Sequence, residues 1–294
     1  MIIDFHTHIL DKSWLPQKWW QWIEDYYANS WLNYSVSDLY DPFGERLIHS
    51  MNDANIDISV ILPLDFGLLL GEPDTPIEEQ NRLISEVVKK HENRLVAFVG
   101  VDPRRPNALE IIEYGINELN MKGVKLYPGT GFIPDLNGFC SLFEKISEMQ
   151  IPVMVHTGQT FGPLLSKYCR PTYLDEILAS FMKMKIIAAH MGGGWFDEIC
   201  WMGQCKNNLY TDISMWQKRY KQNKNDFALC LKKALDMFGF QKILFGTDWP
   251  FTSAVMTQKS YVQAILNLTK EMSFFLSSEI NGILGNNAKA LLPL

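Results

Sequence analysis

The chain has 294 residues, 47% of them hydrophobic, and its 27 basic and 33 acidic residues give a formal net charge of −6. This balance, without a run of lysine and arginine, argues against nucleic acid as a partner. No stretch approaches the roughly 20 uninterrupted apolar residues of a membrane span. The apolar N-terminus is broken by Asp4, His6 and His8 and follows no positively charged region, which argues against a signal peptide.

The cysteines indicate a reducing compartment. Their number, five, is odd, and no pair has the CxxC spacing. We therefore expect reduced thiols in a cytoplasmic protein and not a disulfide framework.

Short apolar runs alternate with longer amphipathic stretches along the whole chain. The strand candidates are residues 2 to 8, 58 to 64, 95 to 101, 123 to 128, 152 to 158, 185 to 192, 209 to 214 and 242 to 250. Helix candidates lie between them, and two more follow the last strand. Because the strands are too apolar to have a solvent-exposed face, the pattern predicts a TIM (β/α)8 barrel, with residues 1–294 as one domain. An open doubly wound sheet is the alternative, but no GxGxxG motif follows the first strand.

An aromatic-rich insertion of about thirty residues separates the first strand from its helix. Long connections at this end of a barrel often form lids or binding loops. The aromatic side chains could equally pack the insertion onto the barrel or onto a second subunit of a homodimer. Its tryptophans are Trp14, Trp19, Trp20, Trp22 and Trp31.

His6 and His8 interrupt the first apolar strand at a spacing of two residues. Side chains at this spacing point to the same side of a strand, so both imidazoles face one space. Two core histidines satisfied by hydrogen bonds would explain the pair, and so would a metal site.

Polar side chains recur where the predicted strands end, which is where barrel enzymes place their active sites. His49 and His91, in contrast, lie in polar helical contexts and are expected to be solvated. Three of the strand-end histidines and one aspartate would make a set of ligands suited to Zn²⁺. The strand-end residues are His6, His8, Asp65, Asp102, Lys125, Tyr127, His156, His190, Asp212 and Asp248.

Four of these motifs together resemble those of the amidohydrolase superfamily: HTH on the first strand, VHTG on the fifth, AAHMGG on the sixth and FGTDWP on the eighth. The likeness is strongest to the branch that includes aminocarboxymuconate-semialdehyde decarboxylase and resorcylate decarboxylases. It extends to the C-terminal segment ILGNNAKALL. The resemblance implies a TIM barrel and a divalent metal, for which Zn²⁺ is our expectation.

The resemblance also implies roles for individual residues. His190 matches a histidine that orients or deprotonates metal-bound water in one-metal members and binds a second metal in two-metal members. Lys125 matches a lysine that is carboxylated and bridges two metals in some members, or it could be an ordinary lysine that pairs with a carboxylate or the substrate. The implied metal ligands are His6, His8, His156 and Asp248.

We expect a metal-dependent hydrolase in which metal-activated water attacks a small, carboxylated lactone, ester or amide, with Asp248 and His190 as catalytic groups. The alternative is a nonoxidative decarboxylase of a small carboxylic acid. Asp212 could orient a ligand histidine or cap a helix. Candidate substrate-binding residues are Arg104, Arg105 and Tyr127. Lys218 and Arg219, after the seventh strand, are candidates of the same kind as Arg104 and Arg105.

Overall fold

The computed structural model describes residues 1–30 and 34–292. Its strand segments are all parallel to their neighbours and form two hydrogen-bonded runs, one of three segments and one of six. The segments are β1 Ile3–Thr7, β2 Ile58–Ile61, β3 Leu95–Ala97, β4 Val99–Gly100, β5 Val124–Leu126, β6 Val153–Val155, β7 Ile186–Ala188, β8 Leu209–Asp212 and β9 Ile243–Leu244.

The two runs close into one barrel. β3 and β4 are successive parts of the third barrel strand, separated only by Phe98, so the nine segments make eight barrel strands. The Phe5 amide donates to the Phe245 carbonyl at 2.8 Å, and Thr7 pairs with Trp249, which joins the last strand to the first. This closed parallel sheet confirms the predicted TIM barrel.

Helices cover the outside of the barrel. Most strands lead into a helix that runs back to the start of the next strand, as the alternation in the sequence predicts. The helices are α1 Gln17–Ala28, α2 Glu45–Ala54, α3 Gly67–Leu70, α4 Ile77–Lys90, α5 Ala108–Asn117, α6 Leu136–Met149, α7 Asp175–Ser180, α8 Phe196–Cys205, α9 Gln217–Gln222, α10 Lys224–Phe238, α11 Gln258–Glu271, α12 Ser277–Asn281 and α13 Asn287–Leu291.

Both faces of the barrel sheet are buried, which explains why the strands read as continuous apolar runs. Val60 belongs to a cluster that fills the barrel interior with Phe5 and Phe98, whose rings meet edge to face at 5.7 Å. Its neighbour Ile61 belongs to the larger cluster between sheet and helices. Polar strand residues are therefore exceptions that need a separate explanation.

Most predicted strands are shorter than expected, and the last one, predicted over residues 242 to 250, is Ile243–Leu244 in the structure. β7 ends at Ala188, before the predicted end at residue 192, because His190, Met191 and Gly192 have φ values of 64°, 44° and 69°. Left-handed backbone cannot continue a strand, so the chain turns there. The sequence pattern also predicts a helix over residues 171 to 184, where the structure has a 3₁₀ turn, Pro171–Leu174, followed by the short α7.

The connection between β1 and α2 contains helix α1, whose buried face includes Trp19 and Trp20. These side chains join an apolar cluster with Leu64 and Phe66 from the end of β2. The connection is thereby packed onto the C-terminal ends of the strands. Trp31 lies outside the described residues.

Two further observations concern the described part of the chain. None of its helices combines the length and the apolar character that crossing a membrane requires. Its five cysteines are free thiols, two of them buried.

Candidate active site

The C-terminal ends of the strands bring together the four strand-end histidines of the sequence. The rings of His6 and His8 lie 5.2 Å apart between centroids, His6 and His190 4.7 Å, and His156 and His190 4.8 Å. All four side chains are buried. The shared space that the HTH motif predicts is therefore real, and it contains two more imidazoles.

Hydrogen bonds on the side away from the site fix the ring orientations of His6 and His8. His8 Nδ1 lies 2.6 Å from the Leu62 carbonyl oxygen, an acceptor, so Nδ1 must donate. His6 Nδ1 lies 2.9 Å from Asp212 Oδ2 and donates in the same way. In its neutral form each ring consequently has an unprotonated Nε2 on the side that faces the site.

These unprotonated nitrogens converge on a carboxylate. His8 Nε2 lies 3.1 Å and His6 Nε2 3.4 Å from Asp248 Oδ1. All three atoms are acceptors when the rings are neutral, so their approach is repulsive unless a cation or proton lies between them. The donor set thus calls for a positive charge at this point.

A second hydrogen-bond chain fixes His156 and His190. Ser214 Oγ donates to Asp212 Oδ1, and His190 Nδ1 donates to Ser214 Oγ at 2.7 Å. His190 Nε2 can then accept from His156 Nδ1 at 3.1 Å. This leaves His156 Nε2 buried with no hydrogen-bond partner among the residues that the structure describes. Asp212 therefore orients His6 directly and His156 through two intermediates, and it does not cap a helix.

The residues fit a divalent metal ion. In the described part of the chain, two groups of side chains have donor atoms close enough to share one ion: His6, His8 and Asp248, and His6, His190 and Asp212. The first group meets a cation with two free imidazole nitrogens and a carboxylate oxygen, the ligands that Zn²⁺ prefers. In the second group, Nδ1 of His6 is already used by Asp212, so we favour the first group.

Burial shifts the pKa values of the site. Desolvation lowers the pKa of His6, His156 and His190 well below the usual 6.5, and the Lys125 charge lowers all three further. Desolvation raises the pKa of Asp248. The histidines are therefore neutral at pH 7, the form in which imidazole binds a metal.

Lys125 and Tyr127 project from the end of β5 into the same site. The Tyr127 ring stacks on His156 with centroids 4.1 Å apart and an interplanar angle of 13°. Lys125 is buried, and desolvation lowers the pKa of its ammonium group to about 8. Its Nζ has no hydrogen-bond partner among the described residues.

The structure does not bring Arg104 and Arg105 into this site. Arg104 forms an ion pair with Asp102 at 2.6 Å, and Arg105 pairs with Asp65 at 2.6 Å and with Glu72 at 2.9 Å. Neither arginine lines the pocket over the histidines. Their guanidinium groups are used to join connecting segments, so they offer no free carboxylate clamp.

Lys218 and Arg219 differ from each other. Lys218 is exposed and lines the pocket, whereas Arg219 is bound by Asp226 at 2.5 Å. Its guanidinium also lies over the Trp216 ring at 5.0 Å. Only Lys218 of this pair remains a candidate for substrate contact.

A cavity of about 190 Å³ lies above these strand ends. Its floor consists of the site side chains His6, His8, Lys125, His156, His190 and Asp248. Most of its remaining lining is apolar, and much of it is aromatic. The aromatic lining residues are Trp19, Trp22, Tyr26, Tyr27, Phe66, Tyr127, Phe161 and Phe251.

Three aromatic residues form what we call the roof: Trp22, Tyr26 and Phe161. The rings of Trp22 and Tyr26 stack at 5.3 Å, and those of Trp22 and Phe161 at 6.4 Å. Tyr26 and Phe161 are 40% and 46% exposed. The roof thus joins α1 to the connection that follows β6 and has solvent on its other side.

The sequence prediction did not include Phe161, Phe251 and Ser214. Phe251 directly follows FGTDWP and Ser214 lies two residues beyond Asp212, so proximity to a motif could have identified both. Phe161 lies in a loop, and the sequence gives no comparable signal for it.

Asp248, His190 and Met215 share an unusual backbone conformation. Their φ values are 59°, 64° and 63°, which non-glycine residues seldom adopt. Such residues cluster at functional sites, where the surrounding structure holds them. All three line the pocket, which supports placing the chemistry there.

Residues 3–294 match the family model described as Amidohydrolase, and the chain belongs to that family. A curated relative, 2-amino-3-carboxymuconate-6-semialdehyde decarboxylase of Dictyostelium discoideum, is 21% identical over 342 residues, covering 99% of this chain and 91% of the relative.

Solved structures match the whole chain. An uncharacterised TIM-barrel protein of Bordetella bronchiseptica has a TM-score of 0.74 and 22% identity, covering 99% of this chain and 97% of its own. 5-Carboxyvanillate decarboxylase of Sphingomonas paucimobilis has a TM-score of 0.71 and 14% identity, and the match covers 100% of this chain and 99% of that protein. Other matches include a 2,6-dihydroxybenzoate decarboxylase and a probable 2-pyrone-4,6-dicarboxylic acid hydrolase. At these identities the likeness shows the fold.

Proposed function

We propose that this protein is a metal-dependent nonoxidative decarboxylase of a small aromatic carboxylic acid. The observation that carries the proposal is an aromatic-lined cavity directly over a buried histidine and aspartate cluster. The Dictyostelium relative and the Sphingomonas structure, both named decarboxylases, support it. The sequence favoured hydrolysis, and these neighbours favour the alternative.

His6, His8 and Asp248, whose donor atoms lie close together, would hold the metal ion, and His156, which belongs to neither close group, would complete the ligand set that the resemblance implies. Each of the three histidines has an unprotonated Nε2 available, and Asp248 supplies Oδ1. The bound ion would neutralise the crowded lone pairs and polarise an oxygen of the substrate. Zinc is present in a matched amidohydrolase of Burkholderia multivorans and manganese in a matched 5-carboxyvanillate decarboxylase, so both ions are candidates here.

The chain's own residues would move one proton. Decarboxylation adds a proton to the ring carbon that bears the carboxylate, and the carbon–carbon bond then breaks, returning its electron pair to the ring and releasing CO₂. Asp248 is our proton donor, because it lines the cavity beside the histidine cluster. Since Oδ1 faces the histidines, Oδ2 would carry the proton. His190 stays neutral and holds His156 in orientation.

The apolar cavity favours decarboxylation over hydrolysis on physical grounds. Hydrolysis develops negative charge on an oxygen and benefits from several fixed hydrogen-bond donors around it. Above the floor, the lining is mainly aromatic and aliphatic, with Gln217, Lys218 and Thr252 as the polar side chains outside the aromatic residues. Loss of a carboxylate as neutral CO₂ needs no such donors.

A matched pair of substrates tests the proposal. Protein loaded with Zn²⁺ or Mn²⁺ is incubated in D₂O with hydroxylated benzoic acids and, separately, with their methyl esters. We expect CO₂ from the free acids and one deuterium on the ring carbon of the product. An Asp248→Asn variant should lose this activity.

The alternative gives a different result in the same assay. A hydrolase would release methanol from the esters and, in H₂¹⁸O, place ¹⁸O in the acid product, without forming CO₂. Ester cleavage with no CO₂ from any acid would replace our proposal by the hydrolase that the sequence favoured.

A further inference from the structure

Lys125 is the buried cation of the pocket, and no group among the described residues binds it. The residue is 2% exposed, and its Nζ makes no hydrogen bond and no ion pair within 4 Å among the residues described. Its position at the end of β5 makes it part of the cavity floor. Burying an ammonium group without a partner is strongly unfavourable, so such a group calls for an explanation.

Other buried or half-buried basic groups in this chain are satisfied. Arg105, whose side chain is 11% exposed, is held by Asp65 and Glu72. Lys242 donates to the carbonyl oxygens of Gly203 and Lys206. The fold thus provides partners for basic groups elsewhere, and Lys125 differs from them.

The carboxylates nearest to Lys125 are committed to other groups. Asp212 and Asp248 both attract its charge, but Asp212 binds His6 and Asp248 faces His8. The centroid of the Tyr127 ring lies 5.9 Å from Nζ, at the outer limit of a cation–π contact, which is weaker than pairing with an anion. The space left for a partner is the cavity itself.

We infer that Lys125 is the anion-recognition residue of this pocket and binds a carboxylate or phenolate oxygen of an aromatic ligand. The stacked pair of Tyr127 and His156 stands beside it and offers a flat surface to the ring of such a ligand. Among the described residues, Lys125 and Lys218 are the only lysines or arginines that line the cavity. Because Lys218 is exposed, water competes for its charge, whereas the charge of Lys125, which is buried, is screened less.

This inference deepens the proposed function, but its test does not depend on turnover. Benzoate and benzamide have nearly the same shape and differ in charge. Their binding is followed by quenching of tryptophan fluorescence, since Trp19 and Trp22 line the cavity. Measurements on metal-loaded protein are repeated after metal removal by a chelator, so that the metal's own affinity for carboxylates is subtracted.

In metal-depleted protein we expect benzoate to bind about 10- to 100-fold more tightly than benzamide, the range for a charge-assisted hydrogen bond. Lys125→Met should bring the ratio of the two affinities close to 1. Lys218→Met, the matched control, should leave most of the preference in place. Lys125→Gln serves as a second variant if the methionine variant folds poorly.

Three results would overturn the inference. One is a wild-type protein without preference for benzoate, which can be measured whether or not the Lys125 variants fold. Another is a preference that survives in folded Lys125→Met or vanishes in Lys218→Met. The third is a preference for benzamide together with a CO₂-dependent mass increase, which would show that Lys125 carries the negatively charged carbamate considered from the sequence. Absence of decarboxylation with an intact benzoate preference would reject the proposed function and leave this inference standing.

Discussion

The floor and the roof of the pocket are built from different interactions. Floor side chains come from strand ends, are buried, and are oriented by short hydrogen bonds such as His6 to Asp212 at 2.9 Å. The roof consists of stacked rings from two connecting segments, and all three of its residues are partly exposed to solvent. Hydrogen-bond geometry is steep in distance and angle, whereas ring packing adjusts gradually. We therefore expect floor variants to abolish function and roof variants to tune it.

The largest effect is expected where two ligands are removed from the floor. The double variant His6→Ala, His8→Ala should lose tight metal binding, because half of the proposed ligand set is gone, and activity should fall to background. Elemental analysis of the purified protein measures the metal. His49→Ala, at an exposed position on α2 where Nε2 lies 3.7 Å from Asp53 Oδ2, is the control and should keep full metal content. Stoichiometric metal in the folded double variant would show that the ligands lie elsewhere.

His190→Asn should have the next largest effect. The asparagine side chain is shorter, so it cannot both accept from His156 and donate to Ser214. We expect one equivalent of metal to remain and turnover to fall by about 10²- to 10⁴-fold, as for an acid–base group or its direct support. Metal content and initial rates are measured on the same preparation. Loss of metal in step with activity would make His190 a ligand and favour a two-metal site.

Burial of charged floor side chains should also lower the free energy of unfolding, and Lys125 allows this penalty to be measured. Its folded pKa of about 8 lies below the usual 10.5, so the unfolded chain holds this proton more tightly. The penalty is fully present below pH 8 and disappears as the pH rises through 10.5, so this group makes stability increase with pH over that interval. The difference between the two pKa values corresponds to a penalty of about 3 kcal/mol in the free energy of unfolding at pH 7.

Lys125→Met should therefore raise the unfolding free energy of metal-depleted protein by about 3 kcal/mol at pH 7, with a gain that shrinks toward pH 10. Chemical denaturation at both pH values gives the comparison. Lys259→Met, at an exposed position on α11, should change stability by less than about 0.5 kcal/mol. A destabilised Lys125→Met at pH 7 would mean that the ammonium has a partner in solution.

The sequence allowed the floor to be predicted far better than the roof. HTH, VHTG, AAHMGG and FGTDWP are short motifs at strand ends, and parallel strands of a barrel must bring those ends together. The barrel itself followed from the alternation of apolar runs with amphipathic stretches. Neither the floor nor the barrel required a prediction of which side chains far apart in sequence contact each other.

Arg104 and Arg105 show where this reasoning stops. Both follow a strand end, as the floor residues do, yet their guanidinium groups turn to Asp102 and Asp65. Which partner a long side chain chooses depends on packing between connections that lie far apart in sequence. The contact of Phe161 with Trp22 has the same origin, since their positions differ by more than a hundred residues.

Gly162 offers the mildest test of the roof. Its φ is +63°, and a Cβ atom built there would overlap the ring atom Cδ2 of Trp22. Gly162→Ala must therefore displace Trp22, which lines the cavity, without touching the floor. We expect KM to rise by about tenfold, the scale of one misfitted methyl group in an apolar pocket, with kcat changed little. Gly71→Ala is the matched control, because Gly71 has a φ of +100° but nothing within 4 Å of its Cβ position, so it carries backbone strain alone. A loss of kcat as large as that of His190→Asn would mean that the roof acts as a lid that completes the catalytic site, and the division between a fixed floor and an adjustable roof would have to be abandoned.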